Sequence, residues 1–288
     1  MEAMHSTHTD QQAAASLTYA EVLARMNRFQ EPEVRVAIAE LGLPAGSYGL
    51  DVGCGVGLSA VWLAEAVGPA GRVLGIDRVP ERIDAAQQLV GTALAPGRLE
   101  LRQGDGTAIA AADQAFDWVW CADVLHHIDD PVLALQEFYR VVRPGGRIII
   151  KESQVLQALF LPGHIELERQ LQRAEIQCSR AEAGARSFQE RRQRTLESMR
   201  QAGLTDVRLR TYVVERQAPL DTLAQAYIQE VVFDRNWGPR LRGLLDARDW
   251  EQRMALCDTD SPQAILQRPD YYCIYPFTVF SARRPGMV

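Results

Sequence analysis

Residues 50–57 read LDVGCGVG, and this stretch decides the fold that we predict for the 288-residue chain. Its apolar start is typical of a buried strand, and the glycines that follow allow a tight turn and the close approach of a ligand to the backbone. The residues after the glycines favour a helix, whose first amide groups would meet polar atoms of that ligand. The stretch therefore predicts a strand, a ligand-binding loop and a helix in that order.

The spacing of the three glycines narrows the kind of loop. Gly53, Gly55 and Gly57 follow the pattern G-x-G-x-G, whereas a dinucleotide-binding loop reads G-x-G-x-x-G and would place its third glycine at Leu58. A phosphate-binding loop of the type G-x-x-x-x-G-K-[ST] needs an adjacent lysine, and the only lysine of the chain is Lys151. We therefore expect neither of these two loops.

Apolar runs and helical patterns alternate along the chain on the C-terminal side of this loop. Such alternation is typical of crossover units and a parallel sheet, in which ligands bind at the carboxyl ends of the strands. We predict an α/β fold with a doubly wound, Rossmann-like, mostly parallel seven-stranded sheet and helical insertions that form a cap. The strands are predicted at residues 48–52, 72–77, 99–103, 116–121, 147–150, 206–215 and 271–282.

The predicted elements divide the chain into three parts. Residues 1–42 are expected to form N-terminal helices that act as a lid, with two helices between Ser16 and Leu41 and Pro32 near the start of the second. Residues 43–151 form the ligand-binding core. Residues 152–288 complete the sheet and carry the cap insertions, at about 152–202 and 216–270, where substrate choice is expected to lie.

Aspartates follow the first strands of the predicted core. Asp77 ends the second strand, 26 positions after Asp51, and a carboxylate there can accept both ribose hydroxyls of an adenosine ligand. Asp105, within Gly104-Asp105-Gly106 after the third strand, could accept a hydrogen bond from an adenine amino group. A helix N-cap at Asp77 and an ordinary turn at Asp105 are the alternatives.

Together, these positions resemble the class I S-adenosylmethionine-dependent methyltransferases. The similar stretch runs from about Gly49 to Lys151, and its first motif lies at residues 50–57. The segments Val124-Leu125-His126-His127 and Val141-Val142-Arg143-Pro144-Gly145-Gly146-Arg147 resemble later segments of the family, in the small-molecule branch that includes quinone and natural-product methyltransferases. The resemblance implies that residues 43–151 bind S-adenosylmethionine.

The resemblance also implies a role for each matching residue. Gly53, Gly55 and nearby backbone would approach the methionine part of the cofactor, and Gly57 is counted with them as cofactor-binding. Asp51 would orient the amino group of the cofactor through water. Asp77 would hold the ribose, and Arg78, where the family commonly has an apolar residue, would lie beside the adenine. The adenine edge would be read by Asp105 and Gly106, and Cys121 would line the pocket near the methionine part.

Catalysis by such a site depends on the acceptor. A sulfonium methyl group is already activated, so the protein must align the acceptor and exclude water, and no metal is required. A phenol acceptor is helped by a general base of near-neutral pKa, for which His126 and His127 are the candidates, with packing at the pocket as the alternative. We also expect His164, Glu152 and Tyr19 to lie near the site and to be further candidates for a role in it.

Composition limits the partners. The net charge of −6 argues against nucleic acid, and the arginines at 191–200 are interpreted as a solvated helix face. Five widely spaced cysteines, no apolar stretch of 18 residues and no signal-peptide pattern favour a cytoplasmic protein without a membrane span. The aromatic residues Trp237, Trp250, Phe233 and Tyr227 would serve a small-molecule acceptor, an ordinary core or a homodimer contact equally well.

The function predicted from these observations is methyl transfer from S-adenosylmethionine to a small molecule, by O- or C-methylation. Two alternatives stay open. One is a methyltransferase of protein or RNA, and the other is a protein that binds S-adenosylmethionine without transferring its methyl group. An intact cofactor pocket with no open cavity beside the methyl group would favour the second alternative.

Overall fold

The computed structural model describes residues 17–183 and 186–286, and its strands form one seven-stranded sheet. The strands are β1 (Tyr48–Val52), β2 (Arg72–Asp77), β3 (Leu99–Gln103), β4 (Phe116–Ala122), β5 (Val142–Ser153), β6 (Thr205–Gln217) and β7 (Tyr272–Arg283). Their order is β3-β2-β1-β4-β5-β7-β6. The first five strands pair in parallel and β7 is antiparallel to both of its neighbours. This arrangement confirms the predicted α/β fold.

Helices cover both faces of the sheet. They are α1 (Tyr19–Leu41), α2 (Leu58–Ala66), α3 (Pro80–Val90), α4 (Pro131–Val141), α5 (Ile165–Ala183), α6 (Phe188–Gln193), α7 (Thr195–Gln201), α8 (Thr222–Ala226) and α9 (Ala247–Cys257), with a π-helix at Tyr227–Asn236. One apolar cluster, which includes Trp120, lies on the α1 side, and a second, which includes Cys121, lies on the α4 side. Within the described residues, no helix is both apolar enough and long enough to cross a membrane.

The N-terminal segment is one helix, so the prediction of two helices is wrong. A capping box between Thr18 and Glu21 begins α1, Gly42 in the left-handed conformation ends it, and Pro32 lies inside it. Proline normally breaks a helix because it lacks an N–H group. Here buried side chains on both sides of Pro32, including Phe29 and Val34, hold the helix in place, and packing outweighs local propensity. Residues 1–16 of the predicted lid lie outside the described residues.

The two segments expected to form the cap contain several helices. Residues 187–201 hold α6 and α7, which meet at Arg194. Helix α8 continues directly into the π-helix, which ends at Asn236. Strand β5 begins at Val142, five residues before the strand predicted at 147–150.

Candidate active site

The glycine loop links β1 to α2 and is fixed to β2 by its own amides. The N–H groups of Gly53 and Cys54 both donate to the carbonyl oxygen of Ile76, at 2.7 and 2.9 Å. Gly53 has φ +71°, and a Cβ atom there would lie 2.3 Å from the Val124 side chain. Glycine is therefore required at this position by its conformation and by the space around it.

Gly57 serves packing instead of the ligand pocket, which corrects the role expected for it. It is the N-cap of α2, with φ +79°, and a Cβ atom there would lie 2.7 Å from the side chain of Val90 on α3. It does not line the cavity, whereas Gly53 and Gly55 do. The third glycine of the motif thus brings α2 and α3 close together beside the loop.

Asp77 ends β2 and faces the loop. Its carboxylate accepts the N–H of Gly55 at 3.1 Å and that of Val79 at 3.0 Å, and the Arg82 guanidinium lies 3.4 Å away. The guanidinium of Arg82 in turn stacks over the ring of Tyr19, 4.7 Å from its centroid. Asp77 therefore joins the loop, α3 and α1 at the place where the ribose is expected. Sequence reasoning missed Arg82, although it lies one helical turn beyond the strand end.

Asp51 is a buried carboxyl group of the site with one oxygen left unpaired. The residue is 1% exposed, and its Oδ2 atom has no hydrogen-bond partner among the described residues. Burial and the nearby Asp77 raise the pKa of Asp51 to about 8. A buried carboxylate without a partner is costly on its own and fits the ammonium group of an amino-acid ligand. The residues present thus fit the methionine part of S-adenosylmethionine.

The adenine end of the site is more open. Asp105 is exposed, and its Oδ1 atom accepts two bonds of 2.8 Å from the backbone and hydroxyl of Thr107, which lower its pKa. A Cβ atom at Gly106 would lie 2.7 Å from Val52, so the chain passes close to β1 there. Arg78 is exposed at the same end, and all three residues line the cavity. Asp105 also makes the ordinary turn that was given as the alternative to a role in adenine binding.

A single cavity of about 970 Å³ runs from these residues into the cap. Its cap end is walled by aromatic side chains, which we call the aromatic chamber: Phe160, Phe188, Tyr227, Trp237 and Tyr275. Two other aromatic residues proposed from the sequence, Phe233 and Trp250, do not line the cavity. The rings of the chamber pack against other rings, since Tyr227 stacks on Phe29 at 4.3 Å between ring centroids and Phe160 meets Trp237 edge-on at 6.0 Å.

Cys121 does not line the cavity, which corrects its expected role. Side chains alternate along β4, so Trp120 and Ala122 face the cavity while Cys121 packs in the cluster on the α4 side. Its side chain is fully buried. The strand is apolar on both faces, and its sequence therefore does not reveal which residues face the ligand.

His126 lies at the cavity wall with both ring nitrogens engaged. Its Nδ1 atom lies 2.6 Å from Oε2 of Glu152, and its Nε2 atom lies 2.9 Å from Nη2 of Arg192. Arginine can only donate, so Nε2 accepts and the proton on Nδ1 is donated to Glu152. Burial and the Arg192 charge hold the pKa of His126 well below its usual value. His126 is a neutral, fully bonded side chain in this arrangement.

The other candidates for acid–base chemistry occupy different places. His127 is exposed at the cavity, edge-on to Phe188 at 4.7 Å, and the surrounding protein together with His126 lowers its pKa. Glu152 and His164 do not line the cavity, and His164 lies 3.3 Å from Gln252. Tyr19 does line it, as expected for a residue on the lid.

Two groups of functional interest were missed by the sequence reasoning. Lys151 donates to Gln30 at 2.7 Å, to Ser153 at 2.7 Å and to Asp123 at 2.5 Å, all at the floor of the cavity. Arg191 and Arg192 of α6 turn inward, so the interpretation as a solvated face is wrong for these two, whereas Arg194 and Arg200 are exposed as it predicts. Arg191 bonds the loop after β4 through the carbonyl of Ile128, and Arg192 bonds His126.

Comparisons with known proteins agree with this geometry. Residues 50–150 match a family model described as a methyltransferase domain. The chain is 34% identical over 114 residues to a demethylmenaquinone methyltransferase of Lactobacillus johnsonii, covering 40% of this chain and 47% of the relative. It is 38% identical over 114 residues to the O-methyltransferase resE of Aspergillus sclerotiorum, covering 40% and 42%. The match thus spans less than half the length of these relatives.

The fold has counterparts among solved structures. The YcgJ protein of Bacillus subtilis superposes with a TM-score of 0.51 at 17% identity, covering 88% of this chain and all of that one. That likeness concerns the fold alone. Residues 50–150 form a methyltransferase domain of the class I, S-adenosylmethionine-dependent type, and S-adenosylmethionine is its cofactor.

Proposed function

We propose that the whole chain transfers a methyl group from S-adenosylmethionine to a small-molecule acceptor. The observation that carries this proposal is the continuity of the cavity, which passes from Asp51 and the glycine loop into the aromatic chamber. A protein that only bound the cofactor would need no such open space beside it. The volume of about 970 Å³ lies near the upper end of the range for small-molecule pockets, which suits a cofactor together with an acceptor.

The cofactor supplies an activated methyl group, and the residues of this chain supply position and a dry surrounding. Asp51 and the loop amides would hold its amino-acid part, and Asp77 would hold the ribose. The aromatic chamber would orient a flat acceptor and keep water from the reacting atoms. Because His126 has no free ring nitrogen, His127 is our candidate base for a phenol acceptor, and the transfer that we propose is O- or C-methylation.

The enclosure of the chamber favours a small molecule over a protein or RNA. Its walls come from β7, α6, the π-helix with the residue after it, and the segment before α5, and its aromatic side chains Tyr227, Trp237 and Tyr275 are each at most 3% exposed. We keep three sequence expectations as further proposals: no nucleic-acid partner, a cytoplasmic location and a homodimer. Light scattering and an RNA gel-shift assay test the dimer and the nucleic-acid expectation, and fractionation of cells that express the chain tests its location.

Filling the chamber tests the function directly. Ala158 lines the cavity, and its near neighbour Leu156 is exposed and does not. We expect Ala158→Trp to abolish transfer of labelled methyl groups to a panel of phenols and enols while S-adenosylhomocysteine still binds. Leu156→Trp should behave as wild type. If wild type transfers no methyl group to any member of the panel, or if Ala158→Trp transfers as well as wild type does, the proposal is wrong.

A further inference from the structure

Arg192 lines the cavity wall, and none of the hydrogen bonds described for its guanidinium goes to a carboxylate. Its side chain is 18% exposed, and its one described hydrogen bond goes to the neutral ring of His126. Its Nε atom is buried and has no hydrogen-bond partner in the part of the chain that the structure describes. The nearest carboxylate oxygen, Oε2 of Glu152, lies 3.7 Å from that nitrogen, beyond hydrogen-bond length.

The neighbouring carboxylates accept hydrogen bonds from other groups, although Oε1 of Glu152 is buried without a partner among the described residues. Glu152 accepts from His126 at 2.6 Å, Asp123 accepts from Lys151 at 2.5 Å, and Asp129 accepts from Arg191 at 3.1 Å. On the other wall, Glu175 accepts from the indole N–H of Trp237 at 3.2 Å. A guanidinium carries five donors in a planar fork, and a carboxylate that is hydrogen-bonded by two of them is its best partner.

His126 and Glu152 explain how Arg192 is held. Glu152 is fully buried and fixes the proton of His126 on Nδ1, which leaves Nε2 as an acceptor for the guanidinium. The two residues therefore act as an anchor behind Arg192, which comes from α6 in the cap. This arrangement gives the buried histidine a positioning role in place of the base role expected from the sequence.

We propose that the methyl acceptor is an aromatic carboxylate, whose acid group is held by Arg192 and whose ring lies in the aromatic chamber. This inference rests on the proposed function. Phe188 is only partly buried and offers its ring to a flat molecule in the cavity, whereas Phe160 and Trp237 are each 2% exposed and pack edge-on against each other. Arg192 lines the same cavity, so one molecule can reach both. An acid group fixed there would place a separate hydroxyl or ring carbon as the methyl acceptor.

Binding measured without turnover tests this inference. The probes are para-hydroxybenzoate and para-coumarate, each compared with its methyl ester, which keeps the ring and removes the charge. Calorimetric titrations use the full chain saturated with S-adenosylhomocysteine. We expect the acids to bind about tenfold more tightly than the esters, because one charge-assisted pair in a shielded site contributes at least this much.

The variants separate the role of Arg192 from a general effect of charge. Arg192→Gln should reduce the acid-to-ester ratio to about one and leave binding of S-adenosylhomocysteine unchanged, and Arg192→Lys should restore part of the ratio. His126→Gln should lower the acid-to-ester ratio, because the guanidinium of Arg192 then loses the ring nitrogen that holds it in place. The matched control is Arg194→Gln, since Arg194 is exposed and pairs with Glu197 three residues away. It should keep the ratio of wild type.

The measurements separate failure of the inference about Arg192 from failure of the proposed function. Loss of S-adenosylhomocysteine binding in wild type would contradict the proposed function itself. If the cofactor product binds but the acids bind no better than the esters, or if neither binds, the inference about Arg192 is wrong and methyl transfer stands. A preference for acids that persists in Arg192→Gln would also overturn it.

Discussion

Lys151, the single lysine of the chain, places its Nζ atom 2.5 Å from Oδ2 of Asp123, and the two residues are nearly buried. Asp123 itself has φ +55°, so the ion pair holds a strained turn at the carboxyl end of β4. Lys151 also donates to Gln30 on α1 at 2.7 Å. This pair therefore links the sheet, the loop after β4 and the lid.

We expect Lys151→Met to lower the free energy of unfolding by about 3–5 kcal/mol, because it leaves the nearly buried Asp123 charge without its cationic partner. Urea unfolding of the double variant Lys151→Met/Asp123→Asn should show a smaller loss. The control is the pair Arg143–Asp117, in which the arginine is exposed, and Arg143→Ala should cost less than about 1 kcal/mol. A loss from Lys151→Met as small as that of the control would contradict a structural role for the pair.

The same pair predicts how stability depends on pH. Lys151 and the hydrogen bond from the Ser153 amide hold the pKa of Asp123 at about 2, below the value near 3.8 expected for the unfolded chain. A lowered pKa stabilises the fold above pH 3.8, and this contribution is lost as the pH falls toward 2. The stability difference between wild type and Asp123→Asn should therefore shrink by about 2 kcal/mol over this interval. A difference that stays constant would show that the carboxylate is not specifically stabilised.

Gly53 is predicted to tolerate no side chain. Gly53→Ala would strain a residue with φ +71° and push its Cβ atom against Val124, so we expect a loss of about 3 kcal/mol and weaker binding of S-adenosylhomocysteine. Gly97 has φ +82° with nothing within 4 Å of the added atom, so Gly97→Ala should cost only about 1 kcal/mol. Equal losses in the two variants would mean that the close approach of Val124 is unimportant.

The parts of the site that could be predicted from the sequence are those encoded by local spacing. The glycine loop, Asp77 and Asp105 each follow a strand at a short distance, so their positions in the sheet follow from the alternation of elements. Arg192 and Lys151 could not be placed this way, because their partners His126 and Gln30 lie 66 and 121 positions away. Such contacts depend on how the cap and lid pack, which the local pattern does not encode.

Asp77 should dominate cofactor affinity. Asp77→Ala removes the acceptor for the loop amide of Gly55 and for the ribose hydroxyls, so we expect S-adenosylhomocysteine to bind at least about tenfold more weakly by calorimetry. Asp84 is an exposed carboxylate on the next helix, and Asp84→Ala should bind as wild type does. NAD should not bind in the same assay. Unchanged affinity in Asp77→Ala would refute its assignment to the ribose, and tight NAD binding would refute the interpretation of the loop.

Asp51 predicts that binding of the cofactor releases a proton. Its pKa of about 8 in the free protein means that the carboxyl is protonated at pH 7, whereas a ligand ammonium beside it favours the charged form. Affinity for S-adenosylhomocysteine should therefore rise with pH up to about 8 and fall at lower pH, because protons compete with the ligand. At pH 7, the calorimetric enthalpy should depend on the ionisation enthalpy of the buffer.

The matched variants show whether that proton comes from Asp51. Asp51→Asn should bind more weakly and lose both the pH slope and the buffer dependence, while Asp84→Asn should keep them. If wild type shows the same enthalpy in phosphate and Tris at pH 7, Asp51 is already ionised in the free protein. The carboxylate would then need a partner before the ligand arrives, and its role as the unpaired receptor of the ammonium group would have to be abandoned.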